Sequence, residues 1–234
     1  MSVGFSVASL GRDVGAETVV DVARALDVRV VSFDGPPRGA QAWRAALKAH
    51  AIEVAAIDAS PGAPAASLPA ASTLRAGCLR VDAGVRDGDR EAHVDRLVRA
   101  LHPVVTAGIP VALRFARDAE DLLDPEALDW ALSELPALRV WFDAWRAMQL
   151  AGLERGPSPE RLADDLASRC VGVSVAGPGR EGRGGGHPED GGPDWSTLVG
   201  ALPRDAAWVV ELDPGLGRGA LEDAVRVTRS WFVR

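Results

Sequence analysis

The stretch VRVVSFDGPPRGAQAWRAALKAH, residues 28–50, contains one β-strand pattern followed by one α-helix pattern. Its first part is rich in Val and Phe, which favour strands, and its second part places apolar residues at helical spacing. The Gly and Pro residues between them mark a turn. The same unit of strand and helix returns along the whole chain, so this pattern decides the fold prediction.

The unit occurs eight times in 234 residues. Strands that alternate with helices in this way are parallel and joined by crossover helices. Eight such units at this length predict an α/β protein with a closed (β/α)₈ fold, or TIM barrel, as a single domain over residues 1–234. An open doubly wound sheet is the alternative. The predicted strands are VGFSVASL, VRVVSFDG, IEVAAIDA, CLRVDAG, PVALRFA, LRVWFDAW, VGVSVAG and AAWVVELDP.

Composition narrows the possible partners and the location. The 26 Lys and Arg residues face 33 Asp and Glu residues, and the net charge of −7 disfavours nucleic acid and membrane surfaces as partners. No apolar run approaches the roughly 20 residues that span a bilayer, and the N-terminus lacks the basic start of a signal peptide. Cys78 and Cys170 lie in apolar strand patterns. We expect them to be buried free thiols, which fits a cytoplasmic protein.

Polar residues at the ends of the predicted strands are the candidates for function, because ligands of a TIM barrel bind where the strands end and the βα loops begin. A carboxylate at such a position also commonly caps the next helix or turn, so each residue has a structural interpretation as well. These strand-end residues are Ser9, Asp34, Asp58, Asp82, Arg114, Asp143, Ser174, Glu211 and Asp213.

A long Gly- and Pro-rich loop, GGGHPEDGGPDW at residues 184–195, follows the seventh predicted strand. Loops of this length in compact domains are usually either functional or disordered. Its place in the repeat puts the loop at the mouth of the predicted barrel. His187 is the one histidine expected near that mouth, because His50, His93 and His102 lie on or beside predicted helices.

Three ordered motifs resemble the xylose isomerase-like barrels, that is, the sugar phosphate isomerases and epimerases and their AP-endonuclease relatives. VWFDAW, residues 140–145, is similar to the sixth strand of that family. HPEDGGPDWSTLVGAL, residues 187–202, resembles its loop of Pro and Gly followed by an acid, an aromatic residue and a helix. VVELDP, residues 209–214, resembles its eighth strand with a closing Glu. The resemblance is specific from about Pro110 onward.

The resemblance implies isomerisation or epimerisation of a sugar-like substrate. It also implies a divalent metal, Mn, Mg, Co or Zn, held at the strand ends by carboxylates and histidine. In such a site the metal polarises substrate oxygens while an acid or base moves a proton at the adjacent carbon. Glu211 matches the eighth-strand ligand and Asp143 the sixth-strand ligand, so these two are the candidate catalytic residues.

Four positions depart from the family pattern. Arg114 stands where the fifth-strand Glu is expected, and Arg146 stands where a His should follow the sixth strand. The seventh strand offers Ser174 instead of a His. Ser32 lies near the place of the second-strand acid, with Asp34 close by. A guanidinium cannot ligate a metal, because it stays protonated and has no available lone pair.

We therefore expect Arg114 to converge with Asp143 and Glu211 in place of a metal, and we expect no tightly bound ion. If a metal does bind, its ligands would be Asp143, Glu211 and His187. The arginines either neutralise the remaining carboxylates or bind a small polar molecule, sugar-like or anionic. The candidate ligand-binding residues are Arg114, Arg146, Ser174, His187 and Trp145.

Two further functions remain open on the sequence alone. A catalytically inactive barrel could bind a sugar or another polar ligand, with Trp141, Trp145 or Trp195 stacking against it. A metal-free enzyme could instead hold a phosphate group with backbone N–H groups of the glycines after the seventh and eighth strands. Those glycines are Gly177, Gly179, Gly215, Gly217 and Gly219.

Overall fold

The computed structural model describes residues 2–82, 89–114, 125–152, 157–179 and 184–233. Eight parallel strands form a closed barrel in sequence order, and the first strand pairs with the last. This closure confirms the predicted (β/α)₈ TIM barrel and excludes the open sheet. The strands are β1 (Ser2–Ser6), β2 (Val30–Phe33), β3 (Glu53–Ala59), β4 (Cys78–Asp82), β5 (Val111–Arg114), β6 (Arg139–Asp143), β7 (Cys170–Val175) and β8 (Ala207–Val210).

The helices surround the barrel, and single turns of 3₁₀ helix lie at residues 7–10, 64–67, 167–169 and 214–216. Asp89, Ser158 and Asp194 begin three of the α-helices, and each side chain accepts a hydrogen bond from a backbone N–H of the first turn. The α-helices are α1 (Ala16–Ala25), α2 (Ala40–Ala49), α3 (Leu68–Leu74), α4 (Arg90–Thr106), α5 (Pro125–Glu134), α6 (Ala144–Ala151), α7 (Pro159–Leu166), α8 (Trp195–Ala201) and α9 (Gly217–Ser230).

Several strands end earlier than the sequence predicted. The first ends at Ser6 and continues as a 3₁₀ turn, and the eighth ends at Val210. The sixth ends at Asp143 instead of Trp145, because α6, which the sequence analysis did not predict, begins at Ala144. The predicted ends of the fourth and fifth strands, residues 83–84 and 115–116, lie outside the described residues.

A cluster of mostly small residues fills the barrel interior around one large ring. Trp141 is 1% exposed, and its Nε1 donates a hydrogen bond to Ser174 Oγ at 2.8 Å. Gly172 makes room for the ring, since a Cβ atom at that position would lie 2.2 Å from it. The cluster comprises Ala56, Cys78, Ala112, Trp141 and Val209.

Both cysteines are free and buried, as the sequence predicted. Burial raises the pKa of the Cys78 thiol to about 12 and that of Cys170 to about 11. Side chains two residues apart on a strand share a face. Arg80 and Asp82 therefore follow Cys78 along the barrel interior toward the carboxyl ends of the strands. No helix in the described ranges is long and apolar enough to cross a membrane.

Candidate functional site

Seven charged side chains meet at the carboxyl ends of the strands. Four are carboxylates and three are guanidinium groups, so the formal charge of the set is 3 − 4 = −1. Two pairs, Asp58 with Arg80 and Asp82 with Arg114, are direct neighbours on adjacent strands, an arrangement that favours opposite charges. We call this set the mouth cluster; its members are Asp58, Arg80, Asp82, Arg114, Asp143, Arg146 and Glu211.

Arg80 is the most buried member, with 2% of its side chain exposed. Its Nε lies 2.5 Å from Oδ1 of Asp58 and its Nη2 lies 3.0 Å from Oδ2, a bidentate pair. Its Nη1 donates to Glu211 and lies 3.4 Å from Ser174 Oγ. Its guanidinium carbon lies 4.9 Å from the centroid of the Trp141 ring, at cation–π distance.

Arg114 joins three carboxylates of the mouth cluster. It holds Asp82 in a bidentate pair, with Nε 2.7 Å from Oδ1 and Nη2 3.1 Å from Oδ2. Its Nη2 is also 3.4 Å from Asp58, and its Nη1 is 3.5 Å from Oε2 of Glu211. The sequence predicts that Arg114 converges with Asp143 and Glu211; Arg114 lies 3.5 Å from Glu211, and Asp143 belongs to the same cluster through Arg146.

Arg146 connects Asp143 to the rest of the mouth cluster. Its Nε lies 3.1 Å from Oδ2 of Asp143, and its backbone N–H donates to Oδ1 of the same carboxylate at 3.1 Å. Its Nη1 lies 3.2 Å from Asp82. This geometry follows from the junction of β6 and α6, because a helix that begins directly after Asp143 brings the third residue back over that carboxylate.

The surroundings push the pKa values of the carboxyls in opposite directions. Burial raises the pKa of Asp143 despite the charges of Arg146 and Arg114. Burial alone would also raise the pKa of Glu211, but the charges of Arg80 and Arg114 outweigh it and lower that pKa. At Asp82, the hydrogen bond and charge of Arg114 likewise outweigh burial and lower the pKa.

Asp58, Asp82 and Glu211 are the most accessible members of the mouth cluster. Three of the four acids expose more of their side chains than any of the three arginines does. A molecule that approaches the mouth cluster therefore meets mainly hydrogen-bond acceptors. The exposed fractions are 32% for Asp82, 21% for Glu211, 19% for Asp58, 11% for Arg114, 10% for Arg146, 10% for Asp143 and 2% for Arg80.

Five of the candidate catalytic and ligand-binding residues lie in or against the mouth cluster: Asp143, Glu211, Arg114, Arg146 and Ser174. His187 has other contacts. Its Nε2 lies 3.4 Å from Oδ2 of Asp223 on α9, and its Nδ1 accepts from the backbone N–H of Glu189 at 3.4 Å.

The described residues of the connection between β7 and α8 contact one another and the aromatic rings of neighbouring helices. Gly177 and Gly186 exchange two backbone hydrogen bonds, of 2.8 and 3.1 Å. Gly184 lies against the ring of Trp145, since a Cβ atom there would be 2.9 Å from Cδ1. Trp195 stacks on Trp231 at 4.9 Å between ring centroids and is 7% exposed, so its ring belongs to the core.

Arg80, the residue at the centre of the mouth cluster, is absent from the candidates that the sequence predicts, while Asp58 and Asp82 are among its strand-end candidates. The available signal was alternation along CLRVD. Asp82 had been recognised at the strand end, and Arg80 lies two residues before it and so shares its face.

The donor set of the mouth cluster does not fit a divalent cation. Each of the four carboxylates already contacts at least one guanidinium. Arg80, Arg114 and Arg146 would also repel an ion placed among them. Within the described ranges, no three His, Cys, Asp or Glu side chains are arranged to hold one ion.

Comparisons with known proteins show likeness in structure. No protein-family model matches the chain, and no curated protein matches it in sequence. A xylose isomerase domain-containing protein of Salmonella typhimurium LT2 has a TM-score of 0.79 at 12% identity, covering 99% of this chain and 97% of that one. An AP endonuclease of family 2 from Brucella melitensis has a TM-score of 0.73 at 19% identity, covering 98% of both chains.

A D-tagatose 3-epimerase-like protein has a TM-score of 0.72 at 14% identity, covering 98% of this chain and 99% of that one. At these identities the likeness is one of fold, so the chain has the fold of the xylose isomerase-like TIM barrels. These three proteins are named for different reactions. The shared fold therefore does not identify the function of this chain, which depends on the residues of the mouth cluster.

Proposed function

We propose that this chain binds a polyhydroxylated, sugar-like molecule at the mouth cluster without the help of a metal ion. The observation that carries the proposal is the pairing and exposure of the charges. The three arginines are held by carboxylates, while Asp82, Glu211 and Asp58 expose 32%, 21% and 19% of their side chains. Carboxylate oxygens accept hydrogen bonds from hydroxyl groups, and adjacent hydroxyls of a sugar can reach two such oxygens.

The same charges disfavour an anionic ligand, which the sequence analysis had left open. Arg80 contacts two carboxylates and Arg114 contacts three, so a phosphate would have to displace them. The formal charge of −1 on the mouth cluster also repels it. At about 4 Å and an effective dielectric constant of roughly 20, a pair of like unit charges costs on the order of 4 kcal/mol.

Glycine N–H groups give little support to a phosphate site. Gly177 donates its N–H to Gly186, Gly215 donates to the side chain of Asp213, and Gly217 donates to Pro214. Three of the five glycines proposed as a phosphate cradle therefore already have their N–H groups in hydrogen bonds within the chain.

Metal-independent isomerisation or epimerisation is the second candidate function, and one observation favours it. The pKa of Asp143 is raised and that of Glu211 is lowered. Environments that separate the pKa values of two carboxyls are typical of acid–base pairs. In this candidate Asp143 exchanges a proton with the carbon next to a substrate carbonyl, and Glu211 holds a substrate hydroxyl. A barrel that binds without catalysis lacks this step.

Three probes with the same ring test the binding proposal: D-glucose, D-glucosamine and D-glucose 6-phosphate, titrated into EDTA-treated protein by ligand-observed NMR. We expect glucose and the positively charged glucosamine to bind, and the phosphate ester to bind at least about tenfold more weakly. Asp82→Asn should weaken glucosamine binding. Asp165→Asn, at an exposed position on α7, should leave it unchanged. Preference for the phosphate ester, or binding only after Mn²⁺ is added, would contradict the proposal.

Solvent exchange separates the second candidate from simple binding. If Asp143 moves a proton, a bound ketose such as D-fructose should take up deuterium next to its carbonyl in D₂O, in the presence of EDTA. The exchange should be lost in Asp143→Asn while binding persists. Binding without exchange in the wild type would identify a barrel without this activity.

A further inference from the structure

A cavity of about 910 Å³ lies at the other end of the barrel, where the strands begin. Its lining includes the first residues of several strands, among them Ser2, Val30, Cys78 and Ala207. None of its lining residues belongs to the mouth cluster. Small-molecule sites typically have volumes of about 300–1,000 Å³, so the cavity is large enough for a ligand. We call it the base cavity.

Small side chains leave this space open. The inner wall of the base cavity includes Ala55, Cys78, Val171 and Ala207, which pack with the interior cluster that contains Trp141. The interior of a TIM barrel is ordinarily filled by layers of bulky branched side chains. Here the layer nearest the strand beginnings is built mostly of small ones, so an apolar group can lie against Ala55, Val171 and Ala207, which are only partly buried.

The rim of the base cavity carries an excess of positive charge. It has four cations, while its acids are only Glu53 and Asp205, which gives a formal charge of 4 − 2 = +2. The chain as a whole has a net charge of −7. Positive charge is thus concentrated at the base cavity of a chain whose net charge is negative. They come from α2, the end of α3 and the start of β6, and they are Arg44, Lys48, Arg75 and Arg139.

Two of these cations are fixed by main-chain carbonyls. Arg139 donates through Nη1 to the carbonyl oxygens of residues 136, 137 and 138, at 3.3, 3.3 and 3.1 Å. Arg44 donates through Nη1 to Leu74 O at 3.4 Å. These bonds limit the motion of the guanidinium groups without neutralising them, because their partners are uncharged. Ordered donors lose less conformational entropy when a ligand binds.

We propose that the base cavity binds a small organic anion with an apolar body, such as an aromatic carboxylate or sulfonate. The apolar body would lie against the small side chains at the strand beginnings, and the anionic group would meet the cations of the rim, which include Arg139 and Lys48. This site has a charge preference opposite to that of the mouth cluster and does not depend on the function proposed there.

Titration with 8-anilinonaphthalene-1-sulfonate, an aromatic sulfonate whose fluorescence rises in apolar surroundings, tests the proposal on the natively folded chain. We expect saturable binding of one probe per chain that weakens as salt is raised. Arg139→Gln should reduce the affinity about tenfold, as expected for the loss of a charge-assisted contact. Lys48→Gln, at an exposed position, should reduce it less. Arg161→Gln on α7 is the matched control and should leave it unchanged.

Lys48 also locates the bound probe, because it is the only lysine in the sequence. Limited acetylation followed by mass spectrometry reports its accessibility with and without the probe. We expect the bound probe to slow acetylation of Lys48. Absence of saturable binding, an affinity that Arg139→Gln leaves unchanged, or unaltered acetylation of Lys48 at saturation would each overturn the proposal.

Discussion

The two ends of this barrel fill the same interior in different ways. At the carboxyl ends of the strands, charged side chains occupy the centre, and Arg80 is buried to 2% exposure between Asp58 and Glu211. At the amino ends, small side chains such as Cys78 and Ala207 leave a cavity of about 910 Å³. The strands that supply Arg80 and Asp143 to the mouth cluster also supply Cys78 and Arg139 to the base cavity.

The comparison teaches where each end is sensitive to substitution. A buried charge is tolerated only while its partners are present, so the mouth cluster depends most on Arg80, its most buried member. Space lined by small residues lacks this dependence, and a larger side chain there gains contacts without breaking any pair. Loss of Arg80 should therefore reduce stability strongly, and substitution at the base cavity should reduce it weakly.

Arg80→Met gives the largest expected effect. It leaves Asp58 and Glu211 without their most buried partner, and breaking a buried ion pair in this way costs about 3–5 kcal/mol. The free energy of unfolding from urea titration measures the loss. Arg161→Met is the control, since that side chain is 78% exposed and its pair with Asp165 is 3.9 Å long. If both variants have the same free energy of unfolding, the buried Arg80 contributes no more to stability than a surface arginine, which would contradict the comparison.

Gly172→Ala should have the next largest effect. Its new Cβ would meet the ring of Trp141, which is 1% exposed and held by Ser174, so the ring cannot easily yield. Overpacking of this kind costs about 1–3 kcal/mol. Ala207→Val adds volume at the base cavity and should change stability by less than about 1 kcal/mol. Thermal unfolding of both variants checks the difference, and a larger loss in Ala207→Val would mean that the base cavity is not open.

The pH dependence of stability should separate Asp143 from Asp82, with effects of about 1 kcal/mol or less. Because the pKa of Asp143 is raised on folding, its ionised form lowers stability at neutral pH, and that cost is lost as pH falls through the folded pKa. Asp82 has a lowered pKa, so it stabilises above its unfolded value of 3.8, and this contribution is lost as pH falls through the folded pKa.

Urea titrations across pH test these signs. Asp143→Asn should be at least as stable as the wild type at pH 7, with the difference closing as pH is lowered. Asp82→Asn should be less stable at pH 7, with its deficit closing in acid. The same sign for both variants at pH 7 would contradict the assigned pKa directions.

The fold could be predicted from the sequence because eight repeats of one unit constrain the topology far more than any single segment does. The ends of individual strands and helices were harder to predict. The run VWFDAW favours a strand throughout, yet β6 ends at Asp143 and α6 begins at once. The start of that helix depends on tertiary packing and on the carboxylate of Asp143, which accepts a hydrogen bond from the backbone N–H of Arg146.

The candidate site was predicted in part. Arg114 and Glu211 could be placed together because both lie at strand ends, where inward-facing side chains share one small interior. The burial of Arg80 could not be predicted from its residue type, because Arg side chains are mostly exposed. Its burial depends on Asp58 and Glu211, which are distant in sequence. The position of His187 could not be predicted either, because Asp223, which it contacts, lies on α9.

Calorimetric titration of the EDTA-treated chain with Mn²⁺ tests most directly the claim that arginines occupy the place of a metal. The wild type should show no binding heat at millimolar Mn²⁺, because Arg80, Arg114 and Arg146 hold the carboxylates and repel the ion. Arg114→Glu, checked for native circular dichroism, should gain affinity because it adds a ligand and removes a positive charge. Stoichiometric, tight Mn²⁺ binding to the wild type, or no gain in a folded Arg114→Glu variant, would contradict the claim.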